Sequence, residues 1–299
     1  MINDSNPSKQ FLDFIIKNNI KVIEKDKVIF SNDINNVIKV TDFAQIYKGK
    51  YLENDVSVYV YFNTDLKNLQ EEVLICSKVE HPNLTKFYGV LNDDKEIIII
   101  FSYINGEILE NVNVGSLDEN QKIQICLDIS SSLKYLHENN LIHRNINLGS
   151  IIIENKTSKA FLTDFSIAKE VKDSVSVLTR AKGGLLFMAP EVFNLDEFDD
   201  DGNKIGYVTP KADIWALGCV ISYLFSGHLP WCNKYDNKDV VIMKCLSKKK
   251  QFPVPNEILN KRIKQVVAFA TEINEGERYD ISQIYELFIK IAEDLKFSK

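Results

Sequence analysis

His143-Arg144-Asn145-Ile146-Asn147-Leu148-Gly149-Ser150, followed downstream by Thr163-Asp164-Phe165-Ser166, crowds a histidine, an arginine and an aspartate between short apolar runs near mid-chain. Upstream of it the pattern is helical, because Gln121 to Asn139 sets Ile123, Cys126, Leu127, Leu133 and Leu136 on one stripe. Downstream, helices are expected at 211–226, 238–247, 257–272 and 280–296. The character changes at Asn105-Gly106. Before it, from about Val37 to Ile104, strands dominate: Val56 to Phe62 is β-branched and aromatic, and Glu96 to Tyr103 holds a run of four isoleucines. One helical segment, Leu66 to Lys78, interrupts them. A further amphipathic helix is expected over 8–18, where Phe11, Leu12, Phe14, Ile15 and Ile16 follow Pro7 and Ser8. A strand-rich first third, a glycine-containing joint and a helix-rich remainder predict two unequal lobes, with a ligand expected between them.

With 299 residues, 45% of them hydrophobic and 26% charged, the chain has the composition of an ordinary globular protein. Collagenous, disordered and disulfide-scaffold classes are excluded. Lys and Arg total 36 against 42 Asp and Glu, a net charge of −6 that disfavours binding to a nucleic-acid backbone. The run Lys248–Lys250 reads as a solvated face. Cys76, Cys126, Cys219, Cys232 and Cys245 lie far apart without metal-ligand spacing, so buried thiols in a reducing compartment are expected. No stretch reaches the ~18 apolar residues of a membrane span. Met1-Ile2-Asn3-Asp4 lacks a signal-peptide pattern and a glycine for myristoylation, and Phe297-Ser298-Lys299 is no prenylation box. A soluble cytoplasmic protein is the expectation.

Six landmarks fall in order: Glu72-Val73, His81-Pro82-Asn83-Leu84, His143-Arg144-Asn145, Thr163-Asp164-Phe165-Ser166, Ala189-Pro190-Glu191 and Asp213-Ile214-Trp215-Ala216-Leu217-Gly218. Together they resemble the marks of the protein kinase superfamily, including the helix-C glutamate, H-R-D, D-F-G, A-P-E and D-x-W-x-x-G. Phe43-Ala44-Gln45-Ile46-Tyr47-Lys48-Gly49 is similar to the end of a kinase glycine-rich loop. Tyr47-Lys48-Gly49 and His81-Pro82-Asn83 most resemble the tyrosine-kinase-like group. The resemblance implies an α+β, bilobal protein-kinase fold. Residues 1–34 would form an extension with a short amphipathic helix, 35–104 a small β-rich N-lobe with helix C, and 105–299 a larger helical C-lobe. It also implies that Asp213 caps the backbone of the His143–Arg144 turn, that Glu191 pairs with Arg278, and that Cys76, Phe87, His143 and Phe165 form a stacked apolar column. Ile46 and Ser57 would roof an adenine pocket and Ile152 floor it, with Phe101 as gatekeeper and Ser102-Tyr103-Ile104 as hinge.

Phosphoryl transfer needs positioning and charge stabilisation, which Mg²⁺ and a lysine supply to the phosphates. By the resemblance, the three loop glycines are replaced by Lys39, Thr41 and Ala44, so a β-turn with side chains is expected there. Val56-Ser57-Val58-Tyr59 aligns with V-A-I-K, which puts Tyr59 at the lysine position. A phenol is neutral at pH 7 and supplies no positive charge. It would either donate a hydrogen bond to Glu72 or simply fill the pocket; a displaced lysine, Lys39 or Lys48, substituting for the missing charge is the further alternative. Asn145 stands at the catalytic aspartate, where a carboxamide cannot take a proton; lost general-base assistance costs on the order of 10²–10⁴ in rate. Ser150 stands at the Mg²⁺-binding asparagine, and its hydroxyl together with Asp164 is the weak metal set that remains. Ser166 replaces the glycine of D-F-G.

The expected function is therefore a pseudokinase acting as a signalling scaffold or allosteric regulator, with a protein partner such as an active kinase or a receptor complex. No cofactor is required, and Mg·ATP would bind weakly. Two alternatives remain: an atypical active Ser/Thr or Tyr kinase using Asp164 and a relocated lysine, and a nucleotide-binding switch without turnover. Ser166, Ser174, Ser176, Thr179 and Arg180 read as a solvated loop, with phosphorylation as the sharper alternative; Gly183-Gly184 stands where the family has G-T. Asp196-Glu197-Phe198-Asp199-Asp200-Asp201-Gly202 reads as a solvated hairpin tip, since Val208 sits where a calcium loop needs Glu.

Overall fold

The computed structural model describes residues 6–31, 33–41, 43–62, 65–93, 95–171, 185–193, 197–198, 204–205, 208–231, 245–246 and 248–297. The chain divides into two compact units, one comprising Met1–Asn105 with Phe165–Ile167, the other Gly106–Asp164 with Ala168–Lys299.

The first unit is built on a seven-stranded sheet: β1 (Val22–Ile23), β2 (Val28–Phe30), β3 (Val37–Val40), β4 (Ala44–Tyr51), β5 (Asn54–Tyr61), β6 (Phe87–Leu91) and β7 (Ile97–Ser102). The strand order is β1-β6-β7-β5-β4-β2, with β3 also on β4; every pair is antiparallel except β1 with β6. Strict alternation in β5 sorts the sheet into two faces. Val56, Val58 and Val60 join Tyr47, Tyr51, Ile98 and Ile100 in one buried cluster. Ser57, Tyr59 and Tyr61 are half-buried on the opposite face.

Two helices complete this unit. Asn6 caps α1 (Pro7–Lys17) by accepting from the Ser8 N–H, and Asp65 caps α2 (Leu66–Cys76) by accepting from the Lys67 N–H. The segment 1–34, expected as an extension bearing one helix, contributes more than that. β1 and β2 were too short to stand out as periodic runs, yet they pair with β6 and β4 and extend the sheet. Gly89 makes the first pairing feasible. It has φ +148° at a register shift in β6, and a Cβ there would lie 2.5 Å from the Lys21 carbonyl oxygen.

The second unit is mainly helical. α3 (Glu119–Glu138) starts at a capping box between Asp118 and Gln121. α4 is the single turn Pro190–Phe193, and α5 (Pro210–Ser226), capped by Thr209, buries most of its side chains. α6 (Lys261–Ala270) packs on α5, and α7 (Ile281–Phe297) packs on α3. Short strands β8 (Gly106–Ile108), β10 (Ile151–Glu154) and β11 (Ala160–Leu162) form one sheet; β9 (Leu141–Ile142) pairs with β12 (Lys169–Glu170). The predicted α+β architecture, a β-rich part and a larger helical part, is what these elements build.

The four described cysteines are buried, and burial pushes the Cys126 and Cys219 thiols up, so they stay protonated. Most of the expected helix over 238–247, together with Cys232, Ser174, Ser176, Thr179, Arg180, Gly183 and Gly184, lies outside the described residues. Of the acidic stretch, only Glu197–Phe198 (β13) is described, paired antiparallel with Lys204–Ile205 (β14). Among the described residues no helix is long and apolar enough to cross a membrane.

Candidate active site

In the first unit, register assembles the candidate roof. Ile46 faces Tyr59 across β4–β5, Tyr59 faces Ile99 across β5–β7, and Ser57 faces Phe101. Ile46, Ser57, Tyr59 and Phe101 thus share one sheet face. The Tyr59 ring stands edge-on to Phe101 with centroids 5.1 Å apart and stacks over Tyr61 at 6.3 Å; Phe101 continues edge-on to Phe87 at 5.7 Å. An aromatic row thus runs through Tyr61, Tyr59, Phe101 and Phe87.

Both candidate relocated lysines pair onto this same face, Lys48 with Ser57 across β4–β5 and Lys39 with Ile46 across β3–β4. Lys48 Nζ lies 4.4 Å from the centre of the Tyr103 ring and 3.6 Å from an Asp55 carboxylate oxygen. Lys39 is exposed on β3, opposite Ile46.

The turn at Thr41, expected in place of a glycine-rich loop, is closed on itself. The Thr41 N–H donates to the Ala44 carbonyl at 2.9 Å, and the Thr41 hydroxyl accepts from the N–H groups of Ala44 (2.9 Å) and Phe43 (3.3 Å). These donors are thereby withdrawn from any phosphate. At the expected hinge, the Ser102 N–H donates to the Lys86 carbonyl and the Tyr103 N–H to the Asp55 carbonyl, while Ile104 is half-buried. Glu72 lies half-buried on α2; Cys76 and Phe165 are each 3% exposed and Phe87 is half-buried.

In the second unit, Asp213 is the node. Buried near the start of α5, its carboxylate accepts from the backbone N–H of His143 at 2.9 Å and of Arg144 at 2.7 Å, and contacts His137 Nε2 at 2.9 Å. Burial alone would raise its pKa, but the His137 bond and the donors around it prevail and hold it below the usual carboxylate value. Arg144 can therefore hold the left-handed φ of +66° that turns the loop. Fully buried His143 is pushed toward its neutral form by desolvation, which outweighs the pull of Asp213 and Asp164. Its Nδ1 accepts from the Asn145 N–H at 3.3 Å, which leaves Nε2 as the protonated nitrogen donating to the Thr163 carbonyl at 3.1 Å.

The loop beyond is organised by Asn147, a residue the sequence reading did not single out. Its amide donates to the Asn145 carbonyl (3.0 Å) and to Asn145 Oδ1 (2.9 Å), and its own oxygen accepts from the Gly149 N–H (2.8 Å). The Asn-x-Gly spacing was the available signal for this turn. His137 was also missed, because nothing in its spacing ties it to a residue on another helix.

Ser150 is fully buried, and its hydroxyl accepts from the Asn147 N–H and donates to the Asn147 carbonyl, both at 3.0 Å. The proposed Ser150–Asp164 metal set fits poorly for that reason. Asp164 is exposed at φ +68°, and among the described residues no group of three His, Cys, Asp or Glu is arranged to hold a metal. Neither the turn at Thr41 nor Ser150 is set up to hold Mg·ATP phosphates. Ile152 is half-buried on β10 between Ile108 and Phe161. Arg278, buried against the Trp215 ring at 5.2 Å, forks onto Glu191 at 2.5 and 3.0 Å and also donates to the Glu272 and Lys211 carbonyls.

Known proteins agree with this architecture. Residues 33–287 match the protein kinase domain family. Serine/threonine-protein kinase 36 of Pongo abelii is 29% identical over 197 residues, covering 63% of this chain and 14% of its own length. Serine/threonine-protein kinase STY46 of Arabidopsis thaliana is 26% identical over 262 residues, covering 85% of this chain and 43% of its own. A probable myosin light chain kinase of Dictyostelium discoideum is 24% identical over 302 residues, covering 98% of this chain and 57% of its own. The chain thus spans less than two thirds of each of these relatives. With the family match extending over most of its length, this chain belongs to the protein kinase domain family.

Proposed function

We propose that this kinase-domain protein transfers phosphate poorly or not at all and acts by binding another protein, as a scaffold or allosteric regulator in the cytoplasm. The observation that carries this reading is Tyr59, whose ring lies in the aromatic row with Tyr61 and Phe101 and which the resemblance aligns with the kinase lysine. A phenol there supplies no ammonium of its own, the Lys48 ammonium on the same face is engaged by the Tyr103 ring and the Asp55 carboxylate, and Asn145, tied through its carboxamide oxygen to Asn147, offers no base. The self-closed turn at Thr41 engages the backbone donors of Thr41, Phe43 and Ala44 as well. The partner we favour is a catalytically active kinase or a receptor complex. Tyr47-Lys48-Gly49 and His81-Pro82-Asn83 support placement in the tyrosine-kinase-like group.

The second reading is an atypical active kinase. It is favoured by the relatives, which are named as serine/threonine kinases, and by the exposed carboxylate of Asp164. Radiolabelled phosphate transfer with Mg²⁺ and with Mn²⁺, in the wild type and in Asp164→Ala, separates the two. No incorporation above the Asp164→Ala background supports our reading, and incorporation abolished by that substitution refutes it.

A further inference from the structure

We propose that the cavity where α3, α5 and α7 meet is a guanidinium site: it takes an arginine side chain of a protein partner and relays its occupancy to the His143–Arg144 turn through His137. This rests on the reading that the protein works by binding another protein. The cavity lies within the second unit, measures about 660 Å³, and is lined by the end of α3, the start of α5 and parts of the segment 275–282. That volume is in the range of small-ligand sites. Its walls are cross-tied. The Thr209 hydroxyl donates to Glu275, Lys211 Nζ donates to the Arg278 carbonyl, and the Lys211 carbonyl accepts from Arg278 at 2.8 Å. The frame is thus set before any ligand arrives.

Four acceptors on this lining are left over. The His137 side chain is only 9% exposed, and its Nε2, 2.9 Å from the Asp213 carboxylate, carries the donated proton. In the neutral ring Nδ1 then keeps a lone pair, and it has no partner among the described residues. Glu138 bonds Lys134 through Oε1, Glu275 bonds Thr209 through Oε1, and Asp280 caps α7 through Oδ1. The second oxygen of each has no partner among the described residues. The ammonium on the lining, that of Lys211, is already bonded to Arg278. A matching ligand brings a positive charge, several N–H donors and an apolar stem to lie against Pro210 and Ile281. A guanidinium carries five such donors in a fixed fork. A hydrogen bond accepted at Nδ1 polarises the ring and strengthens donation from Nε2 to Asp213. Because Asp213 also holds the N–H groups of His143 and Arg144, the change reaches the turn.

The chain has four histidines, so NMR of the full chain, isotope-labelled at its imidazole nitrogens, can follow each of them. The probe is acetyl-Gly-Arg-Gly-amide, with the citrulline peptide as its neutral isostere. The arginine peptide should shift Nδ1 of His137 saturably, move His143 with the same midpoint, and leave His81 and His228 in place. Glu138→Gln and Glu275→Gln keep the bonds to Lys134 and Thr209, and each should weaken binding about threefold with the urea midpoint unchanged. No saturable shift at His137, equal binding by the citrulline peptide, or unchanged affinity in both variants overturns the site. A larger His137 shift with inorganic sulfate would mean that the helix N-termini take an anion, and refutes it too. Agmatine offers the guanidinium without a peptide, and binding as tight as that of the arginine peptide refutes a protein source. A shift at His137 with His143 unmoved refutes the link to the turn. Phosphate transfer in the radiolabel assay would overturn the functional reading while leaving the NMR result to stand or fall separately.

Discussion

Replacing Asp213 by alanine should destabilise the second unit by roughly 3–5 kcal/mol, the usual loss when one partner of a buried charged network is removed. The components can be followed in the structure. Two backbone N–H groups, of His143 and Arg144, lose acceptors at 2.9 and 2.7 Å, and His137 loses its partner. Each hydrogen bond to a charged group contributes about 1.5–3 kcal/mol, and a buried donor left unpaired carries a desolvation penalty of similar size. Arg144 would also relax from φ +66°, which recovers part of the loss. Asp213→Asn keeps one accepting oxygen and should lose about half as much. Trp215 and Trp231, stacked at 6.3 Å, are the chain's two tryptophans and both belong to the second unit, so urea unfolding followed by their fluorescence reports on that unit. A loss below about 1 kcal/mol in Asp213→Ala, or Asn and Ala variants of equal stability, would show that the turn is held by something other than this carboxylate.

The pH dependence of stability should carry a His143 component. Burial depresses its pKa below 6.5, so its contribution is complete above that unfolded value and drains away as the pH falls from there toward the folded value, at up to about 1.4 kcal/mol per pH unit. His143→Gln should flatten the difference in urea midpoint between pH 7.5 and 5.5, and parallel curves for the two proteins would refute the assignment. Gly106→Ala should destabilise the second unit by about 1–3 kcal/mol in the same fluorescence assay, because the new Cβ would stand 2.1 Å from the Ile153 carbonyl oxygen across β8–β10 and the backbone must move. Wild-type stability in that variant would mean that β8 is free to shift.

Long periodic elements were legible in the chain, and isolated contacts were not. Gln121–Asn139 read as a helix because its apolar stripe repeats over several turns, and it appears as Glu119–Glu138. β1 and β2 went unread: two or three residues give no period, and their existence depends on β6 and β4 presenting open edges. At the candidate site the residue identities at 59, 145 and 150 could be read, but their hydrogen-bond commitments could not. Ser150 looked like a spare oxygen for a metal until its hydroxyl was found bonded twice to Asn147. Thr41 looked like a lost glycine, whereas it supplies the side-chain acceptor that closes the turn. Both are local side-chain-to-backbone bonds, whose formation depends on backbone angles that spacing does not report.

The groups that shape the catalytic-type loop are separate from those that would do chemistry in it. Asp213, His143 and Asn147 fix the turn through backbone donors and acceptors, and none of these bonds involves a residue placed to touch a phosphate. The loop can therefore keep its form after a base and a lysine are gone, so an intact loop says little about turnover. The same separation limits what restoration can achieve. Tyr59→Lys, Asn145→Asp and Ser150→Asn together would return the charges. The carboxamide introduced by the last change, however, is larger than the fully buried hydroxyl that accepts from and donates to Asn147, and the N–H groups of Phe43 and Ala44 would remain bound to Thr41. The triple variant should consequently stay inactive in the radiolabel assay, and robust transfer by it would show that the turn at Thr41 and the Ser150 bonds are no barrier to phosphate binding.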